Sequence, residues 1–173
     1  QFLPEEQYNE YKNQILLSDV IETAIDDKNH RIDEDKFMKA AEPLVGKEAA
    51  TAKLNQIKMS YYEQNRNFTE YEKTALEYYK NPDLFEPNET LKAAWIFAEN
   101  IKNKASLKKA TEWAEKSVMR GETPENTYIL AQLYYLIGNK DLAKNFAELS
   151  NSIAKQTGKD TKLSEELLNL IKK

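Results

Sequence analysis

The amino-acid sequence predicts an all-α fold in which antiparallel helical hairpins stack into a solenoid. Apolar residues recur at intervals of three and four rather than two, which is the spacing of one helix face and disfavours strands. The 4 glycines and 5 prolines fall at the ends of these periodic segments, where helices begin and stop. A pattern of small and aromatic residues also repeats after 33 residues.

The predicted helices follow one another along the chain, and their short connections favour antiparallel neighbours. Their expected bounds are 5–26, 33–43, 48–65, 68–80, 89–103, 106–120, 124–137, 140–157 and 161–172. Asp33, Ser106 and Thr161 have side chains that suit the N-cap of the helix that each one opens. We therefore expect about nine helices in a single domain that spans residues 1–173.

An internal repeat relates two consecutive hairpins, which we expect at 89–120 and 124–157. A shift of 33 residues pairs Phe97 with Leu130, Ala98 with Ala131, Ile101 with Tyr134, Ala105 with Gly138, Ala110 with Ala143, Trp113 with Phe146, Ala114 with Ala147 and Ser117 with Ser150. The small residues allow two helices to approach closely, and Trp113 and Phe146 then fill the space around these contacts.

The flanking segments fit this pattern less closely. A poorer copy occupies 48–80, and an insertion at 81–87 accounts for its longer spacing of 39 residues to the next copy. We expect residues 1–47 to form an irregular N-terminal layer. The segment 161–172 is expected to cap the open end of the solenoid. Its apolar stripe consists of Leu163, Leu167, Leu170 and Ile171.

Composition excludes several functions. The 25 basic and 29 acidic residues are interspersed, which argues against nucleic acid or an anionic membrane as the main partner. The chain has no cysteine and one histidine, His30, so we expect no cofactor, no metal site and no catalytic pair. No apolar run approaches the roughly 20 residues of a membrane span. Because the start, Gln-Phe-Leu-Pro, is neither an initiator methionine nor a signal peptide, we interpret the chain as a processed protein or an excised domain.

The stretch from Leu130 to Ala143, Leu-Ala-Gln-Leu-Tyr-Tyr-Leu-Ile-Gly-Asn-Lys-Asp-Leu-Ala, resembles a tetratricopeptide repeat. It has the leucine and small residue as a pair, the tyrosine four residues after the leucine, the glycine that ends the first helix and the alanine of the second. The resemblance implies hairpins stacked in a right-handed superhelix, but it is nearly silent about function.

A narrower likeness covers about residues 90–173. The runs 94–100 (Ala-Trp-Ile-Phe-Ala-Glu-Asn), 110–117 (Ala-Thr-Glu-Trp-Ala-Glu-Lys-Ser) and 154–161 resemble the helical C-terminal region of thioredoxin-family proteins of certain Gram-negative bacteria. In such proteins an upstream thioredoxin domain supplies the Cys-x-x-Cys pair, which this chain lacks. The resemblance implies an accessory domain without its redox module, in a soluble protein of the periplasm or of another extracytoplasmic compartment.

The first candidate for a binding site is the concave face that such a superhelix presents through the first helix of each hairpin. The repeat register places on this face Lys53, Gln56, Ser60, Lys92, Trp95, Glu99, Lys102, Tyr128, Gln132 and Tyr135. Aromatic side chains beside lysine and glutamine suit a groove for a protein or peptide. The partner-binding set that we predict is Lys92, Trp95, Glu99, Tyr128, Gln132 and Tyr135. In the alternative, Trp95 and the two tyrosines only pack against an adjoining helix pair.

The remaining charged groups are interpreted as solvated. The acidic stretch 26–35 lacks the glycine and the regular oxygen spacing of a calcium loop, so we interpret it as a connector with Asp33 as a cap. Adjacent Glu165 and Glu166 diverge by about 100° around a helix and are not expected to act on one substrate.

Three functions remain open from the residues. The favoured one is a non-catalytic protein-interaction or scaffold module. The second is the helical arm of a thiol–disulfide oxidoreductase whose active site lies outside this chain. The third is a structural domain that associates with itself through Trp95, Tyr128 and Tyr135.

Overall fold

The computed structural model describes residues 5–26 and 31–173, and it confirms the all-α class. The helices are α1 Glu5–Ala24, α2 Glu34–Val45, α3 Lys47–Gln64, α4 Phe68–Tyr78, α5 Pro87–Asn100, α6 Lys104–Arg120, α7 Pro124–Ile137, α8 Lys140–Thr157 and α9 Lys162–Ile171. The other elements of the described residues are a 3₁₀ turn, Pro82–Leu84, and the strands β1 Ile25–Asp26 and β2 Arg31–Ile32. None of the helices in this part of the chain combines the length and the apolar character that a membrane crossing requires.

The chain divides into two compact units, Gln1–Tyr78 and Tyr79–Lys173. In each unit, helices that follow one another in the sequence pack together. In the second unit the loops between helices have two to four residues, so neighbouring helices run antiparallel as predicted. A single domain over residues 1–173 and a right-handed superhelix stay predictions.

The first unit is organised around the apolar face of α2, where Phe37 and Ala41 are fully buried. Helix α1 ends earlier than predicted because Ile25 pairs with Ile32 in a two-residue antiparallel ladder. The helical spacing of apolar residues did not predict these short strands, which β-branched isoleucines suit. The Asp33 side chain accepts a hydrogen bond from the Lys36 N–H at 3.0 Å, which confirms the predicted N-cap of α2.

Small residues form the contacts between the helices of the second unit, as the repeat predicts. The alanines with no exposed surface are Ala94, Ala110, Ala114, Ala131, Ala143 and Ala147. Aromatic pairs fill the space around these contacts. Phe97 of α5 meets Trp113 of α6 with ring centroids 5.1 Å apart, and Tyr134 of α7 meets Phe146 of α8 at 5.7 Å.

The two hairpins of this unit begin 37 residues apart, at Pro87 and Pro124, although the sequence pattern repeats after 33. The difference of four residues is about one helical turn, so residues that correspond in the pattern lie on the same face of their helices. Helix α6 also begins earlier than predicted. The Asn103 side chain accepts hydrogen bonds from the N–H groups of Ala105 (2.9 Å) and Ser106 (3.4 Å) and caps α6. The predicted cap, Ser106, is therefore wrong, and its side chain is buried.

Helix α9 packs against α7 and α8, as expected of a terminal helix. Its apolar stripe divides, since Leu167 and Ile171 are buried, whereas Leu163 and Leu170 are 58% and 47% exposed. Thr161 occupies the N-cap position, as predicted, but its side chain makes no capping hydrogen bond.

Candidate functional site

A groove with a volume of about 580 Å³ opens on the second unit. Its walls come mainly from α5, α7 and α9 and from the loop 158–161 that precedes α9, and α8 contributes Ser150. Helix α7 packs against both α5 and α9, so the three helices form one continuous face. The lining residues are Trp95, Pro124, Glu125, Tyr128, Ile129, Ser150, Lys159, Asp160, Leu163 and Ser164.

Three large side chains, one from each helix, form an apolar row along the groove: Trp95 of α5, Tyr128 of α7 and Leu163 of α9. Trp95 is 48% exposed and Leu163 is 58% exposed, whereas Tyr128 is half-buried. The exposure of Trp95 disfavours the alternative in which this residue only packs against a neighbouring helix. A partner that covers this row would remove a large apolar area from water.

A polar row lies about one helical turn beyond the apolar row. Each of its residues follows the apolar residue of the same helix by three or four positions, and α5, α7 and α9 run in the same direction. It consists of Glu99, Gln132 and Glu166. The Gln132 Nε2 donates a hydrogen bond to the Glu99 Oε1 at 2.8 Å, which ties α7 to α5. The Gln132 Oε1 is buried and has no hydrogen-bond partner among the described residues.

The electrostatics of Tyr128 connect the two rows. Burial raises the pKa of the Tyr128 phenol above its ordinary value, and the negative charges of Glu99 and Glu166 raise this pKa further. Both carboxylates therefore act on one phenol, from α5 on one side and from α9 on the other. The phenol stays protonated at neutral pH and keeps an O–H that can donate a hydrogen bond.

An ion pair borders the opposite end of the groove. The Lys159 Nζ lies 2.7 Å from the Glu125 Oε1, and this hydrogen bond lowers the pKa of Glu125 below its ordinary value. Lys159 follows Gly158, whose left-handed conformation ends α8. Pro124 opens α7 beside Glu125, and its carbonyl accepts a hydrogen bond from the Ser150 hydroxyl at 2.7 Å.

Of the predicted residues, Trp95 and Tyr128 line the groove, and Glu99 and Gln132 lie in the polar row one helical turn beyond them. The other two, Lys92 and Tyr135, lie on α5 and α7 but do not line the groove. Of the wider set, Lys102 belongs to the loop after α5. The first unit contains Lys53, Gln56 and Ser60. There, the Gln56 Nε2 donates a hydrogen bond to the Tyr78 hydroxyl at 3.0 Å.

Reasoning from the sequence missed the contribution of α9 and its loop. Leu163 was assigned to the packing stripe of that helix. A signal for its exposure exists, because Ser164, Leu167 and Ile171 share a helix face, and the buried side of α9 is built on them. Leu163 falls about 100° from Ser164, at the edge of this face. No pattern in the sequence pairs Lys159 with Glu125.

The groove offers apolar surface, a phenol and an ion pair, and the polar row beside it adds the carboxylates of Glu99 and Glu166, which together suit binding. Among the described residues, no group of three or more histidine, cysteine, aspartate or glutamate side chains is placed to hold a metal ion. His30 and the rest of the segment 27–30, within the connector 26–35, lie outside the described residues. No protein-family model, curated protein or solved structure matches this chain.

Proposed function

We propose that the second unit is a non-catalytic docking module that binds a polypeptide segment in the groove between α5, α7 and α9. The observation that carries this proposal is the exposed Trp95 in a concave surface, beside Tyr128 and Leu163. Tryptophan and tyrosine dominate the binding energy of protein interfaces because they cover much area at a small loss of conformational freedom.

The framework of the groove favours a site that is formed before its partner arrives. The Gln132–Glu99 hydrogen bond joins α7 to α5, and the Glu125–Lys159 ion pair joins α7 to the loop before α9. A groove whose walls are already tied together loses less entropy when it binds. An extended peptide or a helix laid along parallel helices would meet all three side chains of the apolar row.

The same unit fits the role of an accessory domain of a periplasmic thioredoxin-family protein. The stretch with the narrower likeness, about residues 90–173, lies within the compact unit Tyr79–Lys173, which supports this context. A neighbouring thioredoxin-fold domain would supply the thiol pair, and the groove would hold its client or its partner. The reading frame upstream of Gln1 tests this context, which fails if it encodes no Cys-x-x-Cys pair.

Selection of random peptides of about 12 residues on the full chain tests the docking function. The binding variant is Trp95→Ala/Tyr128→Ala, which removes two members of the apolar row. The matched control is Leu84→Ala/Met119→Ala, which removes two exposed apolar side chains that do not line the groove. We expect peptides that bind the parent chain and the control equally and the binding variant at least about tenfold more weakly.

Quenching or shift of the Trp95 emission reports occupancy directly, because the second tryptophan, Trp113, is buried in the core. Circular dichroism checks that each variant stays folded. Sedimentation of the parent chain without peptide addresses self-association. If no peptide is selected, or if all three chains bind alike, the docking function is wrong. A dimer that dissociates in the Trp95→Ala/Tyr128→Ala variant would instead identify the groove as a self-association surface.

A further inference from the structure

We infer that the segment bound in this groove presents a lysine or arginine beside its apolar anchor, and that Glu99 and Glu166 receive this cation. The inference rests on the proposed docking function and names the chemistry of the partner. It is carried by the position, the charge and the lack of ion pairing of these two carboxylates.

The position of the carboxylates sets the distance between the apolar anchor and the basic residue of the partner. The polar row lies about one turn, or about 5.4 Å, from the apolar row along parallel helices. In an extended segment, side chains on one face are two residues apart, which is roughly 6.6 Å. A basic residue two places from an apolar residue would therefore reach the polar row while the anchor contacts Trp95, Tyr128 and Leu163.

The two carboxylates converge on one place from different helices. Glu99 belongs to α5 and Glu166 to α9, and the negative charges of both act on the phenol of Tyr128 between them. Gln132 holds Glu99 in this position through its 2.8 Å hydrogen bond. A cation bound beside Tyr128 would therefore meet two negative charges.

Neither carboxylate has an ion-pair partner among the described residues. Two acids of the same unit differ in this respect: Glu112 pairs with Lys109 at 3.0 Å, and Glu125, which lines the groove, pairs with Lys159 at 2.7 Å. Lys102 and Lys162 are near Glu99 and Glu166 in the sequence, yet they pair with neither one. Two unneutralised carboxylates beside exposed apolar surface favour a partner with positive charge and disfavour one with negative charge.

The test uses the peptides selected on the full chain and two charge variants. Glu99→Gln/Glu166→Gln removes both charges of the polar row and keeps the size of the side chains. Glu122→Gln/Glu148→Gln is the matched control, because it changes the net charge equally at exposed positions that do not line the groove. Affinities are measured from Trp95 emission at low and high salt.

We expect the selected peptides to carry lysine or arginine two places from an aromatic or aliphatic residue more often than the unselected library. The Glu99→Gln/Glu166→Gln variant should bind them about five- to tenfold more weakly, which is the scale of two partly exposed ion pairs. The control should stay within about twofold of the parent chain. High salt should weaken binding to the parent chain more than binding to the polar-row variant.

The outcomes separate this inference from the docking function beneath it. Peptides that require Trp95 and Tyr128 but show no excess of basic residues would overturn the inference and leave the docking function in place. Equal loss of affinity in both charge variants would also overturn it, because general attraction to the acidic chain would then explain the preference. Failure to select any peptide would overturn both.

Discussion

The two hairpins of the second unit share one helical framework and cover their aromatic residues differently. In α5–α6, Phe97 and Trp113 meet edge to face, Tyr79 packs against Trp113 at 5.4 Å, and Trp113 is only 2% exposed. In α7–α8, Tyr134 and Phe146 stack with an interplanar angle of 14°, and Phe146 is half-buried. Equivalent positions in a repeat therefore do not contribute equally to the core.

The segment between α4 and α5 explains this difference. Phe85 packs against Tyr79 at 4.9 Å, so the segment covers the aromatic cluster of the first hairpin. Lys116 of α6 holds it in place by donating to the Pro82 carbonyl and by pairing with Asp83 at 3.1 Å. What the sequence presents as a loop insertion is thus part of the core.

The largest expected effect comes from a substitution in the more deeply buried aromatic pair, Phe97 with Trp113. Trp113→Ala should lower the free energy of unfolding by about 3–5 kcal/mol, because it leaves a cavity in a fully packed site. Phe146→Ala should cost about 1–2 kcal/mol, since part of this ring already contacts water. Urea unfolding followed by circular dichroism measures both changes. Equal losses would show that the inserted segment does not protect the first hairpin.

An intermediate effect tests the close contact of the second hairpin. Ala131→Leu should cost about 1–3 kcal/mol, because the added side chain has no space between fully packed helices. Ala105→Leu is the control, since this alanine is exposed in the first turn of α6, and its effect should stay within about 0.5 kcal/mol. A thermal midpoint of Ala131→Leu at or above that of the parent chain would contradict the observed packing.

The smallest expected effect concerns the ion pair at the start of the second hairpin. Because Lys159 lowers the pKa of Glu125 in the folded chain, its stabilisation is present above the ordinary pKa of glutamate and is lost as pH falls through the folded pKa. Lys159→Gln should therefore cost less than about 1 kcal/mol at neutral pH and almost nothing in acid, where Glu125 is protonated. Urea unfolding of the parent chain and of Lys159→Gln, from neutral to acid pH, measures the difference in unfolding free energy. A difference that does not change with pH would contradict the Glu125–Lys159 ion pair.

Local features of the fold could be predicted because they depend on neighbouring residues. The period of apolar residues predicted every α-helix of the described part of the chain, and Asp33 was recognised as the cap of α2. The cap of α6 was predicted wrongly because Asn103 and Ser106 both suit that role. In the structure Asn103 makes the capping hydrogen bonds, and Ser106 is buried within the first turn of the helix. The ladder of Ile25 with Ile32 was missed because two residues are too few to show a period.

The candidate site could be predicted only in part. The repeat register found Trp95, Glu99, Tyr128 and Gln132, because a repeat places equivalent residues on equivalent helix faces. It also selected Lys92 and Tyr135, which share helices with these residues but belong neither to the groove lining nor to the polar row. The repeat register assigns a residue to a helix face, whereas the burial and the neighbours of its side chain depend on how closely the next helix approaches.

By itself, the sequence determined the helical class, most helix ends and the small residues on which the hairpins of the second unit close, since each follows from spacing within a few turns. The tertiary structure alone decided that Leu163 stays exposed and that Lys159 pairs with Glu125. It also decided that burial and the negative charges of Glu99 and Glu166 raise the pKa of one phenol, that of Tyr128. The physical reason is distance along the chain: α5, α7 and α9 are separated by whole helices, so the groove exists only after the hairpins have packed.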